Sequence, residues 1–150
     1  MNMNIFAVTE NKKRYLDLLL LADEDERMID KYLERGEMLA LRVGEKVVAV
    51  AVVTDEGEGV LEIKNLATAP AHQGKGYGRR MIEHIAASYA DRFHTLEVGT
   101  GDSPLTVPFY ERCGFARSRV IPNFFTDNYD HLIVEAGVTL RDMVILSRKL

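Results

Sequence analysis

The chain has 150 residues, of which 47% are apolar and 28% charged, and its net charge at pH 7 is −4. This composition is ordinary for a globular protein, and the negative charge argues against broad electrostatic binding of nucleic acid. No apolar run approaches the roughly 20 residues of a membrane span, and a single cysteine, Cys113, excludes an intrachain disulfide and indicates a reducing cytoplasm. We expect one domain spanning residues 1–150.

Apolar periodicity and turn residues predict strands and helices in the first half of the chain. In order, these are a strand over Asn4–Val8, helices over Lys12–Ala22 and Glu24–Arg35, and strands over Met38–Val43, Lys46–Thr54 and Val60–Ala69. Gly44-Glu45, between the first two long strands, is a two-residue turn with glycine first, which is typical of a β-hairpin.

The second half begins with a glycine-rich turn and an amphipathic helix over Gly78–Asp91. Its predicted buried stripe consists of Met81, Ile82, Ile85, Ala86 and Tyr89. After it we expect a strand over His94–Gly99, a short helix that ends near Cys113, and strands over Phe115–Val120 and Val138–Ser147. This order predicts an α/β fold with a mostly antiparallel sheet and one β-α-β crossover.

The most informative segment is Gln73–Gly78, a glycine-rich turn between a predicted strand and a predicted helix. Glycine allows the backbone to turn its N–H groups inward, and the helix start adds unpaired amides and the positive end of its dipole. The segment therefore predicts a site for a ligand that carries phosphate.

Two well-known phosphate motifs match this segment poorly. A Walker loop needs serine or threonine directly after its lysine, but Lys75 is followed by Gly76. A dinucleotide fingerprint has the spacing Gly-x-Gly-x-x-Gly, whereas the glycines here stand at 74, 76 and 78. Glu97 does stand about where a ribose-binding acid would, but the chain lacks the alternating strands and helices of a doubly wound sheet.

A third pattern, Gln/Arg-x-x-Gly-x-Gly/Ala, is matched in full by Gln73–Gly78. Upstream, Leu66–Pro70 has the form of a strand ending in proline, and downstream Phe109–Phe115 matches aromatic-Tyr-x-x-x-Gly-Phe. Together these motifs resemble the GNAT superfamily of acyl-CoA-dependent N-acetyltransferases. The resemblance implies a mixed, mostly antiparallel central sheet flanked by helices, in which splayed central strands form an acetyl-CoA cleft.

The resemblance also implies how acetyl-CoA is held. Backbone amides of the glycine loop would bind the pyrophosphate, and the preceding strand would pair with the pantetheine arm and present an N–H to the thioester oxygen. The implied cofactor-binding residues are Leu66, Ala67, Thr68, Gln73, Gly74, Lys75, Gly76, Tyr77 and Gly78. The open alternatives are a strand that only fills the sheet and a solvated Lys75.

Two side chains are candidates for proton transfer. An alkylamine is almost entirely protonated at pH 7, and Glu62 lies four residues before Leu66, where some family members place a glutamate base. Tyr110 stands where many members keep a tyrosine near the sulfur, as the acid for the leaving thiolate. Glu62 could instead pair with Lys64, and Tyr110 could be a packed core residue.

The helix that carries Tyr110 departs from the family pattern. Pro108 cannot donate an amide and is tolerated only in a first turn, so we expect the helix to start late, with Thr106 as its N-cap. In this scheme the acetyl group passes directly to the amine, and Cys113 is not required as a nucleophile.

The expected acceptor is a primary amine of a small molecule or peptide, with no nucleic-acid or membrane partner. The long, aromatic and acidic segment 121–137 carries Asp127, Asp130 and Glu135, which could recognise an ammonium group, or it could pack on the core or on a homodimer partner. No metal is expected, because the histidines at 72, 84, 94 and 131 lack ligand spacing. The alternative function is a non-catalytic acyl-CoA-binding or sensing module on the same fold.

Overall fold

The computed structural model describes residues 2–150. Its strands are β1 (Met3–Val8), β2 (Glu37–Val43), β3 (Lys46–Asp55), β4 (Val60–Thr68), β5 (Thr95–Gly101), β6 (Ala116–Ile121), β7 (Val134–Glu135), β8 (Val138–Thr139) and β9 (Met143–Lys149). Its α-helices are α1 (Leu16–Ala22), α2 (Glu26–Asp30), α3 (Tyr77–Tyr89), α4 (Val107–Arg112) and α5 (Phe124–Asn128). Within the described residues, none of these helices has both the length and the apolar character needed to cross a bilayer.

Seven strands form one sheet in the order β1-β2-β3-β4-β5-β9-β6, and β7 pairs with β8 in a separate ribbon. Neighbours in the large sheet are antiparallel except β4 and β5, which are parallel. A parallel pair needs a long crossover connection, and α3 lies in that connection. The predicted α/β fold with a mixed, mostly antiparallel sheet is confirmed.

Both faces of the sheet are covered by helices. On one face α3 buries Met81, Ile82, Ile85 and Tyr89, so the predicted stripe is confirmed apart from the half-buried Ala86. On the other face α1 and α2 bury Leu19 and Ile29 completely. Because β4 is central and covered on both faces, the glycine loop that follows it is anchored to the most buried part of the sheet.

The β2–β3 hairpin turns at Gly44-Glu45 as predicted. Val43 pairs with Lys46 across the turn, and Gly44 has a φ of +60° while Glu45 keeps a negative φ. A positive φ at the first central residue alone defines the turn type in which glycine leads.

The helix predicted over Glu24–Arg35 is wrong in length, because α2 ends at Asp30 and turns follow. The buried ammonium of Lys12 donates to the carbonyl oxygens of Leu33 and Gly36, each at 2.8 Å. Carbonyl groups at a helix end need such partners, and here a lysine from another element supplies them in place of a further helical turn.

The strand predicted over Val138–Ser147 is wrong as one unit. The chain bends between β8 and β9 because Leu140 enters the core against Gly101, where a Cβ on the glycine would lie 2.6 Å from the Leu140 Cδ2 atom. Helix α5 and strand β7, which precede this bend, were not predicted.

Candidate active site

A cleft opens between the two central strands. The pairing of β4 with β5 ends at Ile63 and Val98, although both strands continue beyond these residues. Directly after this point, Lys64 has no partner on β3, whereas Ile63 and Asn65 pair with successive residues of β3. This is a β-bulge, which bends its strand, and the splayed strands expected from the resemblance are present.

The bulge also changes the face that each residue of β4 presents. Before it, Ile63 packs in the core cluster under α3; after it, Ala67 packs in the cluster under α1 and α2. Leu66 consequently faces the side of α3, and Glu62 faces the side of α2. One strand therefore serves both openings of the cleft.

Three cavities follow this cleft. The loop-side cavity, of about 650 Å³, is lined among others by Gln73, Gly76, Gly78, Phe109 and Tyr110. The gap cavity, of about 230 Å³ between the splayed strands, is lined among others by Asp23, Asn65, Gly99, Tyr110 and Tyr129. The α2-side cavity, of about 360 Å³, is lined among others by Asp23, Met28, Tyr32, Glu62, Phe124 and Tyr129. Since the gap cavity shares lining residues with each of the other two, it adjoins both of them and lies between the two faces of the sheet.

Most of the residues expected to bind a cofactor meet at the loop-side cavity. Those that line it are Leu66, Thr68, Gln73, Gly74, Gly76, Tyr77 and Gly78. The side chain of Ala67 is buried on the opposite face, and Lys75 is exposed and does not line this cavity. His72 lines it as well, and its Nδ1 atom is buried without a partner in residues 2–150; sequence reasoning missed this residue.

The glycine loop leaves its amides free. Gly74 and Gly76 have φ values of +75° and +85°, and a Cβ at either would meet no atom within 4 Å. Gly76 is the N-cap of α3 and has no side chain to satisfy the first amides of the helix. The side-chain amide of Gln73 donates through its Nε2 to the Thr68 carbonyl oxygen at 3.0 Å, which ties the loop to the end of β4. Such a helix start, with its N–H groups open to a cavity, is suited to bind an anion.

Tyr110 stands between the loop-side and gap cavities. Its ring packs edge-on against Phe109 and Phe115, at centroid distances of 5.1 and 5.6 Å, and within residues 2–150 nothing bonds its hydroxyl. Burial raises the pKa of the phenol above its usual value, and the charges of Cys113 and Glu135 add to the rise. The phenol is therefore protonated at neutral pH and free to donate into the cleft.

The start of α4 agrees with one expectation and corrects another. Thr106 occupies the N-cap position and Pro108 lies in the first turn. However, the Thr106 side chain makes no capping bond; its hydroxyl donates to the Gly101 carbonyl oxygen at 3.3 Å and accepts from Thr100 at 2.8 Å. These bonds join α4 to the end of β5, and so position Tyr110 against the splayed strand.

Glu62 faces the α2-side cavity and pairs with Lys64 at 2.9 Å. Only 14% of its side chain is exposed. Burial raises the pKa of this carboxyl, although its hydrogen bond to Lys64 acts in the opposite direction. The ion pair between Glu62 and Lys64, which the sequence analysis gave as an alternative, is therefore present. The raised pKa of Glu62 is also compatible with a role as a general base.

The segment 121–137 closes the α2-side opening. Asp127 is exposed and lines none of the three cavities, Asp130 is exposed and pairs with Arg27, and Glu135 lines the loop-side and gap cavities. The segment contributes instead Tyr129, whose hydroxyl donates to a carboxylate that sequence reasoning missed. This carboxylate belongs to Asp23, which no local pattern marks because it follows α1 in a polar turn.

The missed carboxylate is Asp23, which lines both the gap and the α2-side cavities. Its Oδ1 accepts from the Tyr129 hydroxyl at 2.8 Å and its Oδ2 from the Tyr32 hydroxyl at 3.2 Å. Burial raises the pKa of Asp23, and the two tyrosine hydrogen bonds partly oppose the rise.

His131 fastens segment 121–137 to the turn after α1 by bonding Glu24 and Asp130, the latter at 2.7 Å. The hydrogen bond to Asp130, and then that to Glu24, raises the pKa of His131 above its ordinary 6.5. A raised pKa means that the attachment is complete below pH 6.5 and is lost as the pH rises through the shifted pKa. We therefore expect amide hydrogen exchange in residues 129–135, corrected for the intrinsic rate, to accelerate with rising pH in the wild type.

In His131→Gln this extra pH dependence should disappear. His84→Gln, on α3 and lining none of the three cavities, should behave as the wild type. Equal pH dependence in all three proteins would show that His131 does not fasten the segment.

Cys113 lines the loop-side cavity but is 4% exposed, and burial raises the pKa of its thiol. A protonated thiol is a poor nucleophile, in agreement with direct transfer. Across residues 2–150, no group of three or more histidine, cysteine, aspartate or glutamate side chains has the arrangement of a metal site.

Comparisons with known proteins agree with this geometry. A family model described as an acetyltransferase (GNAT) domain matches residues 34–117. The chain is 35% identical over 139 residues to the uncharacterized N-acetyltransferase YvbK of Bacillus subtilis (strain 168). This alignment covers 91% of this chain and 90% of that protein.

Solved structures are similar along the whole chain. A GNAT family acetyltransferase from Elizabethkingia anophelis with acetyl-CoA bound has a TM-score of 0.94 and 31% identity, and the alignment covers 99% of each chain. A Bacillus subtilis acetyltransferase in complex with CoA has a TM-score of 0.91 and 34% identity, again over 99% of each chain.

Proposed function

This chain belongs to the GNAT acetyltransferase family, and from this premise we propose that it transfers an acetyl group from acetyl-CoA directly to a primary amine of a small molecule or peptide. The observation that carries the proposal is the gap cavity between the splayed strands, which adjoins both the loop-side cavity and the α2-side cavity. A donor and an acceptor entering from opposite faces would meet beside Tyr110.

Acetyl-CoA would occupy the loop-side cavity. The backbone amides of Gly74, Gly76 and Gly78 would hold its pyrophosphate, and the β5-facing edge of Leu66–Thr68, which has no strand partner, would pair with the pantetheine arm. Two relatives with acetyl-CoA or CoA bound support this assignment. Lys75 would add its charge from outside the cavity.

The chemistry divides between the two faces. The ammonium loses a proton to Glu62 through water, and the amine nitrogen then attacks the thioester carbonyl carbon, so that a C–N bond forms. The carbonyl oxygen takes a negative charge, for which the Leu66 N–H is the proposed donor. When the C–S bond breaks, the thiolate takes the proton of Tyr110. The nitrogen of the new C–N bond gives up its second proton, which returns through water to Tyr110, and Glu62 releases the first proton to solvent.

The direct test is thiol release from acetyl-CoA over a panel of primary amines, with CoA binding measured by calorimetry. Amine-dependent release of CoA and an N-acetylated product would support the proposal. CoA binding without thiol release from any acceptor would favour an acyl-CoA-binding or sensing module, and no CoA binding would contradict both.

Glu62→Gln should lower kcat about tenfold, less than for a direct base, because a water relay can still pass the proton to solvent. The base acts only when it is deprotonated, and burial raises the pKa of Glu62. As the pH is lowered, the wild-type kcat should therefore begin to fall at a higher pH than it would if the base were a glutamate of ordinary pKa. In Glu62→Gln this acid-side decrease of kcat should be absent. The measurement is kcat against pH at saturating amine.

Glu97→Gln is the matched control. Glu97 occupies the position on β5 that lies opposite Glu62 on β4, and its carboxylate has its own basic partner, Arg119, at 3.5 Å. It lines none of the three cavities. If both variants lose the same activity, the loss reflects altered sheet electrostatics, and Glu62 is not the base.

The α2-side cavity of about 360 Å³ is in the range of small-molecule sites, which favours a small acceptor over a long peptide. The single, buried Cys113 supports the proposed cytoplasmic location. A homodimer stays a prediction, which size-exclusion chromatography with light scattering would test.

A further inference from the structure

Asp23 is the one carboxylate that lines both the gap and the α2-side cavities within the described part of the chain. Both oxygens accept from tyrosine hydroxyls, and no ion pair to Asp23 exists in residues 2–150. A carboxylate that is largely removed from water with neutral donors alone is held at a cost that a cation would offset.

A polar atom of Asn65, another residue that lines the gap cavity, lacks a partner. The Asn65 amide donates to the Leu19 carbonyl oxygen at 3.0 Å and to the Tyr32 hydroxyl at 3.1 Å. A carbonyl can only accept, so this bond fixes the orientation of the amide. The Asn65 Oδ1 atom is then left buried with no donor, in a residue that is 2% exposed. Such an atom indicates a missing N–H or O–H donor.

The basic side chains along the α2-side cavity do not neutralise Asp23, because most of them have other partners. These pairs are Lys64 with Glu62 at 2.9 Å, Arg35 with Glu56 at 3.2 Å, and Arg119 with Glu97 at 3.5 Å. The remaining base, Lys31, is exposed, where water screens its charge. The cavity therefore has a locally negative end at Asp23.

Part of this cavity is apolar. Met28, Ile121, Phe124 and Ile145 line it together with the ring of Tyr129. Its volume of about 360 Å³ holds a compact apolar body, such as one aromatic ring with a short chain.

We propose that Asp23 binds the ammonium group of the acceptor, and that the acceptor is a small primary amine that is cationic at neutral pH and carries an apolar body. This rests on the proposed function. An ammonium has several donors, which match the Asp23 carboxylate and the free Asn65 oxygen. Because Asp23 lines the gap, an amine bound there lies beside the opening towards Tyr110, with its body in the α2-side cavity.

The test compares two amines that carry the same aromatic ring and differ in charge: phenethylamine, which is cationic at pH 7, and aniline, which is neutral. Asp23→Asn should lower kcat/KM for phenethylamine about 10- to 30-fold, mainly through KM, as expected for losing a charged hydrogen bond. The same variant should acetylate aniline within about twofold of the wild type, which also shows that it is folded. The matched control is Asp17→Asn, an exposed aspartate on α1 with no ion pair in residues 2–150.

Equal losses for both amines, or no loss for phenethylamine, would overturn the inference while leaving the proposed function intact. If the wild type binds CoA but acetylates neither amine, the proposed function fails, and calorimetric titration of phenethylamine into the CoA-bound protein decides the inference. Binding to the wild type that is lost in Asp23→Asn supports an ammonium site; equal binding, or none to the wild type, overturns it.

Discussion

Replacing Tyr110 by phenylalanine is expected to lower kcat about 100-fold, at the lower end of what a general acid contributes. The ring contacts with Phe109 and Phe115 do not involve the hydroxyl, and the hydroxyl makes no bond in residues 2–150, so the variant keeps its packing. What it loses is the proton donor beside the cleft. CoA affinity, measured by calorimetry, should stay within about twofold, and kcat is measured by thiol release at saturating amine.

Tyr89→Phe is the matched control. Tyr89 is as buried as Tyr110, but its hydroxyl donates to Glu37 at 2.8 Å and it lines none of the three cavities. Its loss should lower the free energy of unfolding by about 1 kcal/mol and leave kcat unchanged. An unchanged kcat in Tyr110→Phe would contradict the acid role and leave Tyr110 as a core residue.

Gly76→Val is expected to weaken CoA binding about 100-fold, which corresponds to about 2.7 kcal/mol. A β-branched residue is strongly disfavoured at the φ of +85° that Gly76 adopts, so the loop amides would turn away from the phosphates. A Cβ at Gly76 would meet no atom within 4 Å, so the expected loss comes from the backbone conformation and not from a clash within the protein. Calorimetric titration with CoA measures the effect directly.

Gly57→Val separates backbone strain from loss of the site. Gly57 has a φ of +87°, no atom within 4 Å of a Cβ, and a place in the turn before β4, away from the three cavities. Both variants should lose about 1–2 kcal/mol of stability, but only Gly76→Val should lose CoA affinity. Similar CoA affinities in the two variants would mean that the glycine loop does not hold the pyrophosphate.

The geometry of the glycine loop, which we propose holds the cofactor, could be predicted from the sequence because it is local. The conformation of Gln73–Gly78 depends on a strand end, glycine torsions and a helix start that lie within a few residues of one another. The buried face of α3 is likewise predicted by the apolar periodicity of the helix itself. The predicted bounds of helices and strands were wrong where a residue distant in sequence determines where the element ends. The buried Lys12 supplies the donors at the end of the shortened second helical segment, and Leu140 bends the chain because Gly101 leaves room for it.

The acceptor half could not be predicted in this way. Asp23 and Tyr129 are 106 positions apart, and nothing near either residue indicates that they meet. Asp127 and Asp130, which the sequence suggested as ammonium-binding residues, are exposed. The carboxylate that lines the cleft is Asp23, which follows α1 with no motif around it. Only packing of segment 121–137 against α1 and α2 brings these groups together.

The sequence by itself therefore determined the family, the crossover that makes β4 and β5 parallel, and the glycine loop before α3, since each depends on short-range geometry and spacing. The tertiary structure alone decided that the strands separate after Ile63 and Val98, that Glu62 and Leu66 face opposite openings, and that Asp23 stands between them. The physical reason is that a bulge and a cleft are set by how strands pair across the sheet. That pairing joins residues whose separation along the chain carries no signal.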